Sequence, residues 1–166
     1  MFYEEVFRKL GEQKIRYAVA GGVALVLHGI VRLTADLDLI LDMKEENLTK
    51  FIDCIKELGF RPRVPVQPED FISAKNREEW KREKGMKVFT FFHPPKQIQQ
   101  IDVFIEEYIP YEEIEKELVQ IPVKDISIPV ISIRHLKALK TVSARAQDIA
   151  DIAMLNDLES MGGGQE

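Results

Sequence analysis

The sequence predicts a single-domain α/β (α+β) fold in which helices flank a mixed β-sheet. Two observations support this: short apolar segments typical of strands alternate with amphipathic helical segments early in the chain, and β-rich segments broken by prolines follow later. The length of 166 residues and the hydrophobic content of 45% suit one compact domain. We assign that domain to residues 1–160 and expect a flexible tail at residues 161–166.

The first third of the chain predicts the order helix, strand, helix, strand, helix. An amphipathic helix ends before Gly11, and a strand at Tyr17–Ala20 leads through a Gly-Gly turn into a short helix at Val23–Leu27. A second glycine turn precedes an apolar strand that carries two aspartates. Apolar residues at i, i+3, i+4 and i+7 then predict a helix over Glu45–Leu58.

The rest of the chain predicts shorter elements. Three prolines within residues 61–68 indicate an extended loop, and Pro68 is typical of a helix start. Ser132 is a candidate N-cap for the helix that follows it. The other predicted elements are antiparallel strands at Met86–Phe92 and Gln97–Glu106, a short helix at Tyr111–Leu118, edge strands within Val119–Ile133, and helices at Arg134–Val142 and Ala146–Leu158.

Residues 75–87 form a basic segment with six lysines and arginines, three glutamates and Trp80. One interpretation is a solvent-exposed helix whose charges pair at i, i+4 spacing. The other is a surface that binds an RNA backbone or another acidic partner. The sequence alone does not distinguish them.

Composition restricts the class of protein. The formal charge of −5 and pI near 5.4 argue against coating nucleic acid through bulk electrostatics, although a local basic patch stays open. The single Cys54 cannot form an internal disulfide, and we interpret it as a packed thiol. The N-terminal segment lacks the apolar region of a signal peptide, and the longest apolar stretch, Tyr17–Val31, is too short to span a bilayer. We therefore expect a cytoplasmic protein with no membrane partner.

Asp36 and Asp38 lie two positions apart in a predicted strand, so their side chains point to the same face. Two unpartnered carboxylates on one face repel each other, and divalent cations relieve this repulsion. Gly21 and Gly22 lack side chains, and their amides lie at a predicted helix N-terminus, which favours phosphate. Together, the glycine turn and the paired carboxylates indicate a nucleotide site.

This arrangement resembles the DNA polymerase β-like nucleotidyltransferase superfamily. The family pattern is an apolar strand ending in Gly-Gly or Gly-Ser, a spacer, Asp-x-Asp or Asp-x-Glu in a second strand, and a lone Asp in a third. The matching residues are Gly21-Gly22, Asp36-Leu37-Asp38 after thirteen intervening residues, and Asp102 within QQIDVFIE. The string GGVALVLHGIVRLTADLDL further resembles stand-alone minimal members related to the AbiEii-type toxins.

The resemblance implies a nucleotidyltransferase-like sheet and the transfer of a nucleoside monophosphate from an NTP to an acceptor hydroxyl. It also implies that three carboxylates bind two Mg²⁺ ions, or Mn²⁺ in their place, and that the third helps to accept the proton of the acceptor hydroxyl. The implied catalytic and metal-binding residues are Asp36, Asp38 and Asp102, and the implied nucleotide-binding residues are Gly21, Gly22, Arg32, Thr34 and Lys140.

Two parts of this assignment have plainer alternatives. Without the resemblance, Asp102 is an acid on the open face of a strand. Near the C-terminus, Lys140, Arg145, Asp148 and Asp151 match a spacing found in the toxin-like relatives, but they also fit a solvated helix face on which Arg145 and Asp148 pair locally. In the functional interpretation, the lysine reaches the triphosphate and the other three hold the helices over the cleft.

The histidines do not indicate a metal centre. His28 ends the predicted short helix, where we expect it to hydrogen-bond to the backbone and cap the turn. His93 and His135 show no metal-ligand spacing with it, so a zinc site is not expected.

Three functions from different classes fit these observations. The first is an enzyme that transfers a nucleotide to an RNA 3′ end, a protein side chain or a small molecule such as an aminoglycoside. The second is a catalytically silent nucleotide-binding module, and the third is a partner-regulated interaction protein, such as one half of a toxin–antitoxin pair with a cognate antitoxin. The presence of all three aspartates favours the first over the second, and the third is compatible with the first.

Overall fold

The computed structural model describes residues 2–96, 98–143 and 145–162. Within these residues the chain forms one mixed seven-stranded sheet with seven α-helices and a 3₁₀-helix, which confirms the predicted fold class. Residues 163–166 of the predicted tail lie outside the described residues. No helix in the described ranges combines the length and apolar character needed to cross a membrane.

The strands are β1 (Tyr17–Ala20), β2 (Asp36–Leu41), β3 (Arg61–Pro62), β4 (Val88–Phe92), β5 (Gln100–Phe104), β6 (Val119–Val123) and β7 (Ile126–Val130). The helices are α1 (Glu4–Glu12), α2 (Gly21–Leu27), α3 (Glu45–Glu57), the 3₁₀-helix (Pro68–Ile72), α4 (Ala74–Lys84), α5 (Tyr111–Lys116), α6 (Ile133–Ser143) and α7 (Ala146–Gly162).

The predicted elements occur in the predicted order, with differences at their ends. α1 continues through Gly11, because burial of its apolar face outweighs the roughly 0.5–1 kcal/mol that a helical glycine costs. α2 begins at Gly21 rather than Val23, and α7 extends beyond Leu158. Arg61–Pro62, predicted as part of a loop, pairs with β4 at the sheet edge, where a proline is tolerated.

The prediction of edge strands near the C-terminus is right for β6 and wrong for β7. β6 ends the sheet, whereas β7 lies between β6 and β1. The register of β7 with β1 pairs Val130 with Val19, so the missing N–H of Pro129 does not interrupt it. The predicted N-cap of α6 is confirmed, because the Ser132 hydroxyl accepts a hydrogen bond from the His135 backbone N–H at 3.1 Å.

The sheet order is β3-β4-β5-β2-β1-β7-β6. The β2–β5 and β1–β7 pairs are parallel, and the other four neighbouring pairs are antiparallel. The central strands β2 and β1 therefore run in opposite directions, so the end of β1 lies beside the start of β2. This brings the glycine turn after β1 close to the aspartates of β2.

One face of the sheet is packed by aromatic residues. Phe89 and Phe91 of β4 are buried against Phe71 of the 3₁₀-helix, Phe51 of α3 contacts Phe91, and Trp80 of α4 stacks on Phe89 at 4.9 Å between ring centroids. Such clusters contribute through both burial and ring geometry. α3, the 3₁₀-helix and α4 thus cover this face.

The part of the basic segment that forms α4 belongs to this covered face, whereas Lys87 lies outside α4 and borders a cleft described below. Phe89, on which Trp80 stacks, pairs in register with Val103, whereas the neighbouring Thr90 pairs with Asp102 and points to the opposite face. Lys81 forms an ion pair with Glu78. The arrangement favours the exposed-helix interpretation of α4, with its charges on the side of the sheet away from the aspartates.

We expect Phe91→Ala to lower the free energy of unfolding by about 3–5 kcal/mol, because it leaves a cavity inside the aromatic cluster. Leu33→Ala is the matched control, since Leu33 is 100% exposed and its truncation should change stability by no more than about 0.5 kcal/mol. Urea unfolding followed by circular dichroism measures both. Equal effects of the two substitutions would contradict the described packing.

Candidate active site

The three predicted carboxylates lie on neighbouring strands of the open sheet face. The parallel register of β2 and β5 pairs Asp38 with Asp102, and Asp36 with Gln100. Neighbouring strands are about 4.8 Å apart, so Asp38 and Asp102 stand side by side on one face. Asp36 is exposed at the start of β2, while Asp38 and Asp102 are half-buried.

Uncharged side chains hold these acids in position. The Thr90 hydroxyl donates a hydrogen bond to Asp102 Oδ1 at 2.7 Å. The side-chain amide of Gln100 donates to Asp102 Oδ1 at 3.3 Å and to Asp36 Oδ2 at 3.4 Å. Arg63 Nη2 in turn donates to Gln100 Oε1 at 3.1 Å. Gln100 therefore bridges two carboxylates that would otherwise repel each other.

Tyr3 supports the same group from the N-terminus. Its hydroxyl donates to the Ala35 carbonyl oxygen and accepts a hydrogen bond from the Gln100 backbone N–H at 3.1 Å. This joins the start of β2 to the start of β5. Burial raises the pKa of Tyr3 to about 12, and the nearby aspartates add to the shift.

The electrostatics of the acids follow from this crowding. Burial, and then the charges of Asp102 and Asp36, raise the pKa of Asp38 to about 7, although Lys140 and Arg145 oppose the shift. The pKa of Asp36 is also raised, by burial and the charge of Asp102. Asp36 and Asp38 therefore bind protons more readily than isolated carboxylates do, because they are partly buried beside other negative charges.

The glycine turn needs both of its glycines. Gly21 has φ +62°, which L-residues with side chains rarely adopt, and a Cβ there would lie 1.9 Å from Asp38 Oδ2. A Cβ on Gly22 would lie 2.6 Å from the Thr34 hydroxyl oxygen. Asp38 and Thr34 thus pack directly against the backbone of the turn.

The C-terminal helices are joined to the site by ion pairs. Asp151 of α7 is fully buried and accepts from Lys140 Nζ at 2.9 Å and from Arg32 Nη1 at 2.5 Å. Burial pushes the pKa of Asp151 up, but hydrogen bonds from Lys140, Gln147 and Arg32 hold it below its usual value. The loop before β2, α6 and α7 are thereby tied together.

A second buried carboxylate extends this network. Asp148 lies 3.5 Å from Lys140 Nζ and accepts from Arg145 Nε at 2.9 Å. The local Arg145–Asp148 pair predicted as the plainer alternative is present, but the buried Lys140–Asp151 pair means that this is not merely a solvated helix face. Arg145 itself is largely exposed.

A cleft of about 590 Å³ lies between the sheet and α6. Its walls bring together Gly21, Asp38, Lys140 and Arg145. Residues from the glycine turn, the acidic strand and the C-terminal helices therefore border one space that has cations on one side and a carboxylate on the other. A triphosphate with a bound cation is complementary to such a surface.

The sequence matches one known protein family over most of its length. The family described as nucleotidyl transferase AbiEii toxin, type IV TA system, matches residues 6–163. The chain belongs to the AbiEii family of nucleotidyltransferases. This confirms the family resemblance based on the glycine turn and the aspartates. No curated protein sequence matches the chain.

Solved structures share the fold of this AbiEii protein. The lincomycin-bound lincosamide antibiotic adenylyltransferase LnuA is 18% identical with a TM-score of 0.60, covering 93% of this chain and 96% of its own. ANT(2″)-Ia in complex with adenylyl-2″-tobramycin is 12% identical with a TM-score of 0.59, covering 95% and 90%. An antigenic nucleotidyltransferase-like protein from Paracoccidioides brasiliensis is 18% identical with a TM-score of 0.54, covering 92% and 72%.

The predicted site residues of the AbiEii protein fall into two groups. Asp36, Asp38, Asp102, Gly21 and Gly22 lie together where β1, β2 and β5 meet. The others lie around them: Thr34 packs on the glycine turn, while Arg32 and Lys140 are both bound by Asp151.

Sequence reasoning missed the side chains that support the acids. Thr90 had one usable signal, a polar residue inside the aromatic strand VFTFF. Gln100 also had one, because it lies two positions before Asp102 on the same strand face. Arg63 and Tyr3 had none, because their contacts join segments far apart in sequence. His28 Nε2 lies 2.8 Å from the Ile131 carbonyl oxygen, so the predicted hydrogen bond to the backbone is confirmed, but it joins α2 to the residue after β7 instead of capping the turn. Cys54 is buried, as predicted for a packed thiol.

The acids suit a divalent cation that takes some of its ligands from the protein and the rest from a bound substrate. In the described part of the chain, no three acidic, histidine or cysteine side chains already form a metal-holding group. Mg²⁺ in nucleotide sites is commonly bound by one or two carboxylates, with phosphates and water completing its octahedron. Asp38 and Asp102, neighbours in register and short of positive charge, supply that kind of donor set.

We expect Gly21→Ala to destabilise the protein by about 1–3 kcal/mol, because a non-glycine residue is strained at this φ and its Cβ displaces Asp38. Gly11→Ala is the matched control: it lies inside α1 with open space around it, and should stabilise by about 0.5–1 kcal/mol. Urea unfolding compares the two. A Gly21→Ala variant as stable as the wild type would exclude the described turn.

A second expectation concerns pH in the absence of metal. Because the folded state raises the pKa of Asp38 to about 7, its contribution to stability is present below about pH 4 and is lost as pH rises through 7. Asp38→Asn removes this dependence. Relative to wild type, the variant should therefore gain at most about 4 kcal/mol between pH 4 and pH 8. Urea unfolding across this range measures the difference, and parallel curves would contradict the described environment of Asp38.

Proposed function

We propose that this AbiEii protein transfers a nucleoside monophosphate from an NTP to an acceptor hydroxyl and releases pyrophosphate, in a reaction that depends on Mg²⁺ or Mn²⁺. The observation that supports it most directly is the register of β2 with β5, which sets Asp102 beside Asp38. Asp38 in turn borders the cleft together with Gly21, Lys140 and Arg145. Family membership supplies the reaction class.

In this proposal Asp36, Asp38 and Asp102 hold the cation. When bound, the ion neutralises charge on the phosphates and lowers the pKa of the attacking hydroxyl. Asp102 lies on β5, next to the strand that carries Asp36 and Asp38, and the Thr90 hydroxyl holds it in place. It is therefore the carboxylate best fixed to accept the proton of the acceptor hydroxyl. Gln100 keeps the carboxylates together before the ion binds.

The triphosphate would lie between the glycine turn and the C-terminal helices. Gly21 and Gly22 allow close approach to the backbone, and Lys140 and Arg145 provide positive charge on the opposite wall. Arg32 and Thr34 border the turn and remain candidates for a side-chain contact. Asp151 orients Arg32 and Lys140 together.

The acceptor would reach the acids from the open side of the sheet, near Asp36. We propose three acceptor classes: an RNA 3′ end, a protein side chain or a small molecule. LnuA with lincomycin and ANT(2″)-Ia with an adenylylated tobramycin support the small molecule, while the toxin family supports a toxin role with a cognate antitoxin. NTPs and Mg²⁺ are supplied in the cytoplasm, where we expect the reaction to occur.

We expect an NTP with Mg²⁺ to raise the unfolding midpoint of the wild type by about 5–10 °C at 100 times its dissociation constant, because binding at that concentration stabilises by about 2.7 kcal/mol. NTP or Mg²⁺ alone should give a smaller shift. Asp38→Asn and Asp102→Asn should lose the combined shift, since the cation that joins protein and phosphate loses a ligand. Differential scanning fluorimetry with each NTP measures the effect.

Asp53→Asn, on the exposed side of α3, is the control and should keep the shift. Incubation with α-labelled NTP and cell extract then tests transfer: RNase-sensitive, protease-sensitive or small labelled products identify the acceptor class. Binding without any labelled product would favour the silent nucleotide-binding module instead. A wild type that no NTP stabilises in the presence of Mg²⁺ or Mn²⁺ would refute the proposal.

A further inference from the structure

We propose that a second pocket, beyond the end of the active-site cleft, binds the base of the nucleotide, with Tyr108 as its stacking surface. This inference rests on the proposed function, because it names the part of the NTP that the cleft leaves unassigned. The pocket has a volume of about 230 Å³, and Ile40, Phe104, Tyr108 and Leu139 contribute to its walls.

The pocket continues directly from the cleft. Phe104, Tyr108 and Leu139 border both spaces, so the two are adjacent and only these side chains need to shift for one ligand to occupy both. Phe104 and Tyr108 come from the end of β5 and the segment after it, whereas Leu139 comes from α6. The pocket thus has apolar walls from two separate elements.

The distance from the acids suits a base. Along β2, Ile40 and Asp42 follow Asp38 by two and four residues, and a strand rises about 3.3 Å per residue. The pocket therefore begins roughly 7 Å from Asp38 and extends to roughly 13 Å along the strand. This is the direction away from Asp36, where the acceptor would approach. In an NTP, the base lies at a comparable distance from the reacting α-phosphate, with the ribose between them.

The charges at the two ends orient the nucleotide. The cleft is bordered by three cations, Lys87, Lys140 and Arg145, and by two acids, Asp38 and Asp148, so its lining is net positive. The second pocket is bordered by four acids, Asp42, Glu106, Glu107 and Glu112, and one lysine, Lys44. An acidic rim repels a triphosphate but accepts an uncharged base. The phosphates therefore lie at the cation end and the base at the other.

The chemistry of the pocket also constrains the base. Tyr108 is 41% exposed, so its ring is available to a stacked base. Ionised carboxylates accept hydrogen bonds and cannot donate them. Adenine, cytosine and guanine carry an exocyclic amino group that can donate to Glu106 or Glu107, whereas the one edge donor of uracil, N3–H, lies between two carbonyl oxygens that a carboxylate repels. UTP should therefore bind most weakly of the four NTPs.

Isothermal titration with Mg²⁺ and a non-hydrolysable α,β-methylene NTP tests the assignment, using inorganic tripolyphosphate as a probe of the phosphate end alone. We expect Tyr108→Ala to weaken binding of the NTP analogue about 5- to 100-fold through lost stacking, and to leave tripolyphosphate binding unchanged. Tyr108→Phe keeps the ring and should bind like the wild type. Circular dichroism confirms that each variant is folded.

Met154→Ala is the matched control, because Met154 is exposed to a similar degree as Tyr108, 38% against 41%, and borders neither the cleft nor the second pocket. It should leave affinity for the NTP analogue unchanged. An unaltered affinity in Tyr108→Ala, an equal loss of tripolyphosphate binding, or tightest binding of the UTP analogue would overturn the base site while the proposed function stands. If the wild type binds neither the NTP analogues nor tripolyphosphate, the proposed function fails and the base site fails with it.

Discussion

The parallel register of β2 and β5 brings carboxylates together, and the other contacts of the site hold those carboxylates in place. It pairs Asp38 with Asp102 on one face and leaves Asp36 one pleat away, so three like charges share a partly buried surface. Hydrogen bonds from uncharged groups fix the carboxylates without neutralising them. In the proposed function a cation and a triphosphate relieve this residual charge, so the cost of gathering the carboxylates and the affinity for the ligand would have the same cause.

One face of the sheet carries the packed aromatic core, and the other carries the carboxylates. Because side chains alternate along each strand, Phe89 and Phe91 bury themselves on one side while Thr90 points at Asp102 on the other. The aromatic cluster belongs to the elements that cover the first face, and it stabilises the same strands that carry the acids. An enzyme can tolerate unfavourable charge on one face of a sheet when the other face is packed this well.

Sequence predicted the parts of the molecule that local pattern encodes. The unit from β1 to β2 was predictable because its strand alternation, glycines and Asp-x-Asp spacing lie within a short stretch, and α3 because its apolar residues recur at helical spacing. The interior place of β7 was not, since it depends on pairing with β1 from the far end of the chain. The contacts of Tyr3 with Gln100 and of Arg32 with Asp151 span 97 and 119 positions, and no local pattern records either.

Because of Asp151, completion of the cleft depends on α7, which is translated after the strands of the sheet. Its carboxylate lies in the last helix, yet it holds a lysine of the preceding helix and an arginine from the loop before β2. A nascent chain can pair β1, β2 and β5 before α7 has been translated, but Arg32 and Lys140 then lack their common partner. The cleft is therefore completed only after α7 has been translated, so a nascent chain without this helix has the glycine turn and the aspartates but not the cations that Asp151 orients.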